Sequence, residues 1–548
     1  MSLLPYQRCL PLVFLLLVSC EMLAQEPSFT MAQIGPDLLL DNPNDLNYGP
    51  DGFLYVSERE RGRIVRVDPA TGLLEVVLSV PDNFSSSRQE GLMGFDFYSD
   101  AGGVDYLYAT YTKREDGSNR QRIVRYTRSE EGDSPVYIHQ VVILDSLPSS
   151  NDHNSARLLV GPDEKLYLSI GDQGANHLGN YCVPNRAQIL PTQAEVDARD
   201  YSNYAGSTLR INLDGSIPED NPVLEGLRSH VFSYGHRNAQ GLSFAASGAL
   251  YSSEHGQNTD DEINRITAGN NYGWPLVVGF QDDMGYTYCN WAALSNCEEL
   301  EFSVPDCPAD SVEFAESSLT AENYTDPLAS LFAVGNDYDF DDPVCESSYW
   351  CRPNIAPPSI EVYNSDAIPE WTGSLLVPSL KRGRVYQLKL NEAGTEVVGD
   401  TTELFYTPNR YRDIAIHPNG KTFYLLTDES GNVSDRSGLR RATDNRRNPA
   451  TILSFTLNES SSSQDLPRGA FSIAPHPASD ELRIEVRDAS LRSVAAKLLD
   501  AAGRVVLHTT LEDQTTTALD VSTLAGGVYL LRLRADDRLY TQRVLITP

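Results

Sequence analysis

One pattern recurs six times before residue 458 and limits the fold more than any other feature. It is a turn rich in Gly, Pro, Asp and Asn, a short strand of tyrosine and branched residues, a polar turn, then a second strand. The copies are "GPDGFLYVSERERGRIVRV", "DYLYATYT" with "QRIVRYT", "GPDEKLYLSI" with "STLRINL", "SGALYSSEHGQNTDDEINRI", "GSLLVPSLKRGRVYQLKL", and "HPNGKTFYLLTDESGN" with "ATILSFTL". Short strands at turn-punctuated intervals, with almost no 3.6-residue periodicity, specify an all-β repeat architecture, and six sheet-sized units suggest a six-bladed β-propeller. The spacing is uneven, with long insertions around 174–205 and 280–372. Long loops on a propeller gather at one mouth, so function is expected there.

The third copy carries unusual residues at its roots. Gly161-Pro162-Asp163 is a turn signal between two strand-like runs, and pairing Val160 with Leu166 makes position numbers across the ladder sum to about 326. His153 then falls opposite residue 173, one step from Asp172. A carboxylate accepting from one imidazole nitrogen fixes the tautomer and leaves the other nitrogen able to take a proton. Read alone, the same pair is a hydrogen bond that ties two exposed loops together.

Charge sharpens the search. The 548 residues carry a formal net charge of −33, a field that repels nucleic acid and anionic membrane surfaces. Cations clustered against that trend are therefore informative. Two clusters stand out, "SLKRGRV" at 379–385 and "NRYRD" at 409–413, although each read alone is a solvated loop. No Gly-x-Gly-x-x-Gly follows a strand and no Walker-type loop is present, so nicotinamide and nucleotide phosphates lack their usual cradle. Cys-x-x-Cys and His-x-x-x-His zinc spacings are absent as well.

Together with "YGHRNAQGL" at 234–242, "HGQNTDDEINRI" at 255–266, "NNYGWP" at 270–275 and the long run from Asp152 through Asp283, these segments resemble the soluble quinoprotein glucose dehydrogenases. Those are the six-bladed members of the glucose/sorbosone dehydrogenase family that use pyrroloquinoline quinone (PQQ). The resemblance spans about residues 30 to 457. It implies that His153 is the general base, Asp172 its orienting carboxylate, and Arg237 with Asn238 the groups near the reacting quinone oxygens. It further implies that Lys381, Arg410 and Arg412 hold the cofactor's carboxylates. A calcium ion is implied between the quinone and the backbone carbonyls of Gly256 and Gln257, where the family usually has proline at the second position. Substrate contacts carry over as Gln89, Asp152, Leu178 and Tyr349. A second calcium group, at a dimer interface in the family, maps to Glu262, Tyr272, Val278, Phe280, Asp282 and Glu316. Arg352 stands where the family has a tryptophan over the sugar, and Asn354 replaces a nearby threonine. These departures leave the quinone chemistry in place and put the identity of the sugar in doubt.

The implied activity is oxidation of an aldose at its anomeric hydroxyl to a lactone, with PQQ and Ca2+ as cofactors and an external electron acceptor. Two rivals use the same scaffold. One is a propeller that binds a carbohydrate or protein partner without catalysis, and the other is a quinone enzyme acting on a non-sugar alcohol.

The two ends differ from the middle. Arg8, the apolar run Leu10 to Val18 and small residues up to Ala24 form a secretory leader over 1–24, while Leu17-Val18-Ser19-Cys20 also resembles a lipobox. No other segment approaches a membrane span in length. Six cysteines follow the leader, an even number that suggests disulfides in an exported protein. Cys345 and Cys351 are a local pair across a Ser-rich turn, and Cys182, Cys289, Cys297 and Cys307 allow three connectivities. The propeller over 28–457 ends in a Ser-rich linker at 458–469. Residues 470–548 are again strand-like and compact enough for a small β-sandwich. Their Pro-x-Pro-Ala, Gly-Arg and Leu-x-x-Gly-x-Tyr features resemble the C-terminal sorting domain of the type IX (Por) secretion system. That resemblance implies passage across the outer membrane, then release or surface attachment.

Overall fold

The computed structural model describes residues 27–131, 134–303, 307–340, 352–431, 433–434, 447–458, 470–487, 493–500, 505–512, 516–535 and 538–547. The leader, Tyr349, Cys345 and Cys351 lie outside the described residues, as does the linker after Asn458. The chain divides into a large unit, Phe29–Thr456, and a small one built from the C-terminal residues.

The large unit contains six four-stranded antiparallel sheets in a propeller arrangement. The repeat seen in the sequence corresponds to the two middle strands of every sheet. In the first sheet these are Leu54–Glu58 and Arg63–Val67, and every residue of Leu54–Glu58 is buried. Neighbouring sheets cover both faces of such strands, which explains why they read as nearly continuous apolar runs. The innermost strands are Pro43–Tyr48, Leu92–Ser99, Ser155–Val160, Ala239–Phe244, Glu361–Tyr363 and Tyr411–Ile416. Each packs on the next and the last packs on the first, closing a ring. Phe29–Gln33, first in the chain, completes the last sheet beside Ile452–Leu457. Among the described residues, helix is limited to the six-residue Gln193–Ala198, with a Thr192/Glu195 capping box, and a few short 3-10 turns.

Polar side chains stitch one inner strand to the next. Phe95 N–H donates to Asp45 (2.9 Å), Val160 N–H to Asp96 (2.8 Å) and Leu46 N–H to Asp413 (2.8 Å). The Ser243 hydroxyl donates to Glu361 (3.3 Å). Arg157 reaches Asp45 and Asp413 and donates to the Gln240 and Pro358 carbonyls. Burial pushes Asp45 up, Asp96 up to about 6 and Glu361 up to about 8, against the pull of the Arg157 guanidinium.

The third-sheet hairpin follows the expected register at Val160↔Leu166 and Leu158↔Leu168 and then slips at a bulge, so that Ser155 pairs with Ile170. The position sum drops from 160 + 166 = 326 to 155 + 170 = 325. The bulge removes the one-residue offset expected between His153 and Asp172. Gly171 permits the close approach, since a Cβ there would lie 1.9 Å from the His153 carbonyl oxygen.

In the small unit, a three-stranded and a four-stranded sheet share one core that includes Phe471, Ile484, Leu498, Leu531 and Val544. No helix among the described residues is long and apolar enough to cross a membrane.

Candidate active site

His153 and Asp172 are buried, at 6% and 1% exposure, rather than set in solvated loops. His153 Nδ1 and Asp172 Oδ1 are 2.8 Å apart. Asp172 also accepts from Gly174 N–H (2.9 Å), Asn185 Nδ2 (3.0 Å) and the Trp274 indole N–H (2.7 Å). A carboxylate surrounded by that many donors cannot turn, and it fixes the imidazole with Nδ1 as donor. The carboxylate nearest to Nε2 is Asp152, at 3.8 Å, beyond hydrogen-bond length. Asp152 is engaged instead by Gln89 Nε2 (2.5 Å) and the His153 N–H (3.0 Å). His153 lines a cavity of about 940 Å³, so its free nitrogen is placed to act as a base.

The cavity lies where loops enter the inner strands. Its lining includes seven cations, Arg59, Arg88, Arg237, Arg352, Lys381, Arg410 and Arg412, against two carboxylates, Asp152 and Asp428. In a chain of net charge −33, that excess marks a site for an anion. The two cation runs read as solvated loops are folded inward instead, with Lys381 1% and Arg410 8% exposed. Burial pushes the Lys381 ammonium well below the ordinary lysine value, against the pull of Asp261. Lys381 Nζ donates to the Arg352 carbonyl (3.1 Å) and to Asn354. Asp428 accepts from Arg410 Nε (3.3 Å) and Arg412 Nη2 (2.8 Å). Burial would raise Asp428, but Arg412 and Arg410 hold it below its ordinary value. Arg412 also reaches Gln240 (3.3 Å). Arg237 donates to the His255 carbonyl (3.2 Å) and lies over the Trp274 ring, 5.2 Å from its centroid. Asn238 accepts from the Ser155 hydroxyl (3.1 Å). Arg237 Nε, Arg412 Nε and His255 Nε2 are buried without a hydrogen-bond partner among the described residues. The two unpaired arginine N–H donors at a cation-lined cavity suit a polycarboxylate ligand.

Of the expected substrate contacts, Gln89, Asp152, Leu178 and Arg352 line the cavity, and Arg352 bonds Asn258. Gln257 lines it too, and Gly256 lies beside it in sequence. Asp261, pushed up to about 6 by burial, accepts the Gly256 N–H (3.0 Å) and so orients that turn. A Cβ on Gly256 would meet the Thr259 carbonyl oxygen at 1.9 Å, which restricts the position to glycine. The carbonyls of Gly256 and Gln257 accept no hydrogen bond among the described residues, and oxygen donors of this kind suit a hard cation.

The second expected calcium group, mostly backbone carbonyls plus carboxylates, centres on Glu262 and Glu316. Glu316 accepts from Val278 (3.0 Å), Asp282 (3.3 Å) and Asp283 (2.9 Å) N–H groups, and Glu262 accepts from Gly279 N–H (2.7 Å). Tyr272 turns its hydroxyl to the Arg265 carbonyl (2.6 Å), and the Phe280 ring is exposed. Burial pushes Glu316 up to about 7 and Glu262 well above its ordinary value. Among the described residues, no three His, Cys, Asp or Glu side chains converge closely enough to hold a metal by themselves.

Several site residues were not singled out in the sequence. Asn185 and Trp274 support Asp172, Asp428 bridges two arginines, and Arg59, His177 and Phe302 line the cavity. His177 stacks on His153 with centroids 5.9 Å apart. The open cysteine pairing resolves as Cys182–Cys297 and Cys289–Cys307.

Comparison with known proteins places the chain in a family. Residues 40–298 and 321–435 match the family described as Glucose / Sorbosone dehydrogenase, and residues 472–547 match the Secretion system C-terminal sorting domain. The chain is 42% identical over 434 residues to quinoprotein glucose dehydrogenase B of Acinetobacter calcoaceticus, covering 76% of this chain and 89% of that protein. It is 27% identical over 396 residues to an aldose sugar dehydrogenase of Escherichia coli, covering 71% and 88%. A solved structure of the PQQ-bound aldose sugar dehydrogenase of Streptomyces coelicolor superposes with a TM-score of 0.52 at 24% identity, over 79% of this chain and 99% of that one. The large unit thus has the fold of a dehydrogenase propeller. This chain belongs to the glucose/sorbosone dehydrogenase family and is an oxidoreductase that carries a C-terminal sorting domain.

Proposed function

We propose that the protein is an exported, PQQ- and calcium-dependent aldose dehydrogenase. In this reading residues 28–457 form a six-bladed propeller, 458–469 a linker and 470–548 a sorting β-sandwich, with 1–24 removed as a leader. One observation carries the reading. The free Nε2 of a carboxylate-fixed histidine opens on the same cavity as seven cations, in a strongly acidic chain.

Lys381, Arg410 and Arg412 would hold the quinone's carboxylates, and the Gly256 and Gln257 carbonyls would hold calcium. Bound there, the quinone supplies the two-electron acceptor for the anomeric C–H. His153 Nε2 takes the proton of the anomeric hydroxyl, so the aldose loses a hydride and a proton and becomes a lactone. Asp172 stabilises the imidazolium formed, with Asn185 and Trp274 fixing Asp172 in turn. Arg237 and Asn238, which line the cavity, would favour negative charge on the oxygens of a bound quinone. Gln89, Asp152 and Arg352 meet sugar hydroxyls, together with Leu178 and Tyr349. Electrons leave to an external acceptor. A second calcium at Glu262, Tyr272, Val278, Phe280, Asp282 and Glu316, with a homodimer, belongs to the same proposal. It accounts for two carboxylates that burial raises and that a cation would lower. The type IX secretion machinery is the partner for the tail, and the cell surface or medium the destination.

The test is reconstitution of purified apo-protein with PQQ and calcium, followed by dye reduction over a panel of aldoses. Aldose-dependent reduction that chelation abolishes and calcium restores is expected. Quinone bound without turnover of any aldose would overturn the proposal.

A further inference from the structure

Sugars present hydroxyls at their rim and C–H groups on a face, so a pyranose site needs a flat apolar surface as well as polar contacts. Among the described lining residues the only benzene ring is Phe302, contributed by the 280–372 insertion. It is held on three sides, by His177 (centroids 5.5 Å apart), Tyr181 (5.6 Å) and Trp291 (5.2 Å). His177 in turn stacks on His153, which puts the ring one imidazole away from the proposed base.

The insertion is clamped where it carries this ring. Cys182–Cys297 ties it to the loop that bears His177 and Leu178, and Cys289–Cys307 closes the insertion's own loop. Asn176 Nδ2 donates to the Cys289 carbonyl (2.8 Å), and the Tyr181 hydroxyl donates to that of Leu300 (2.9 Å). Cys289, Trp291 and Cys297 form a small buried core against which Phe302 packs. A ring immobilised before the substrate arrives loses little freedom on binding, and that raises the affinity its contact can deliver.

We infer that Phe302 is the platform on which the sugar ring stacks, and that the two disulfides hold it at the mouth; this rests on the aldose dehydrogenase reading above. Such a contact acts on substrate and transition state alike, so it appears in KM and not in kcat.

The experiment compares the reconstituted holoenzyme with its Phe302→Ala, Phe302→Trp and Cys182→Ser/Cys297→Ser variants, with D-glucose as the probe. Phe302→Ala should raise KM about tenfold with kcat reduced less than threefold, and Phe302→Trp should keep KM at or below the wild-type value. The cysteine variant should raise KM in the same way, and adding Phe302→Ala to it should raise KM less than twofold further, since the ring is already displaced. A Phe302→Ala KM within twofold of wild type overturns the inference, whatever the fate of the cysteine variant. If the wild-type holoenzyme oxidises no aldose, the functional reading fails by itself. Calorimetric titration of D-glucose into wild type and Phe302→Ala then reads the ring separately. About tenfold weaker binding by the variant supports the platform, and equal or undetectable binding in both proteins overturns it.

Discussion

The cavity at the entry of the inner strands and the polar cluster further along those strands are built from the same elements, yet their charge excess is opposite. Among the described residues, seven cations face two carboxylates in the cavity, whereas Arg157 alone faces Asp45, Asp96, Glu361 and Asp413 in the cluster. Gln240 lies between them, accepting from Arg412 with its side chain and from Arg157 with its backbone. The cluster finds its partners within the protein, since its carboxylates accept N–H groups from neighbouring strands. Arg237 and Arg412 in the cavity keep a buried Nε without a partner. A polar site satisfied from within fixes geometry, and one left with unpaired donors is suited to a ligand.

Removal of the Arg157 guanidinium should have the largest effect. Arg157→Met leaves buried carboxylates without a counter-charge and should cost about 3–5 kcal/mol of stability, read from the guanidinium unfolding midpoint. A change below about 1 kcal/mol would mean that the cluster is not what joins the sheets. Lys381→Met makes the matching cut in the cavity. It should weaken PQQ binding about thirtyfold or more in a titration of the apo-protein and cost less stability than Arg157→Met, because an apolar side chain of similar length replaces a buried ammonium whose lost protein contacts include the Arg352 carbonyl and Asn354. Loss of stability with unchanged affinity would place Lys381 in the scaffold.

The smallest effect concerns pH. Glu361 is pushed up to about 8, above its unfolded value, so the folded state holds more protons between about pH 4.5 and 8. The contribution is fully present below the unfolded value and is lost as pH rises through about 8. Asp96, pushed up to about 6, acts in the same direction over a lower window. Melting temperature should therefore fall by about 3 °C or more from pH 6 to pH 8.5, and Glu361→Gln should flatten that slope. Equal slopes in the two proteins would remove Glu361 from the account.

How much of this was legible in the sequence depended on distance along the chain. The middle strands were readable because burial on both faces writes them as apolar runs between turns. Outer strands as short as Thr402–Leu404 carry too little pattern, and the closing strand Phe29–Gln33 pairs with residues at the far end of the propeller. His153 and Asp172 were readable as a pair because one hairpin holds both, while the bulge that aligns them leaves no composition signal. Trp274, Asp428 and Phe302 reach the site from other loops, where only the fold supplies the proximity. Asp45, Asp96 and Asp413 occupy inner strands where periodicity favours apolar residues, so their role appears only when the ring is closed. The pairing of four cysteines follows from how the insertion packs on the 174–205 loop.

In the proposed reaction, binding and proton transfer belong to different groups, cations for the quinone and His153 for the proton. Titrating wild type and His153→Ala apo-proteins with PQQ and calcium, then adding D-glucose and a redox dye to each saturated protein, tests it most directly. Equal quinone affinity with turnover lowered about a hundredfold or more in the variant is the predicted result. Loss of binding and turnover together, or near-normal turnover by His153→Ala, would contradict it.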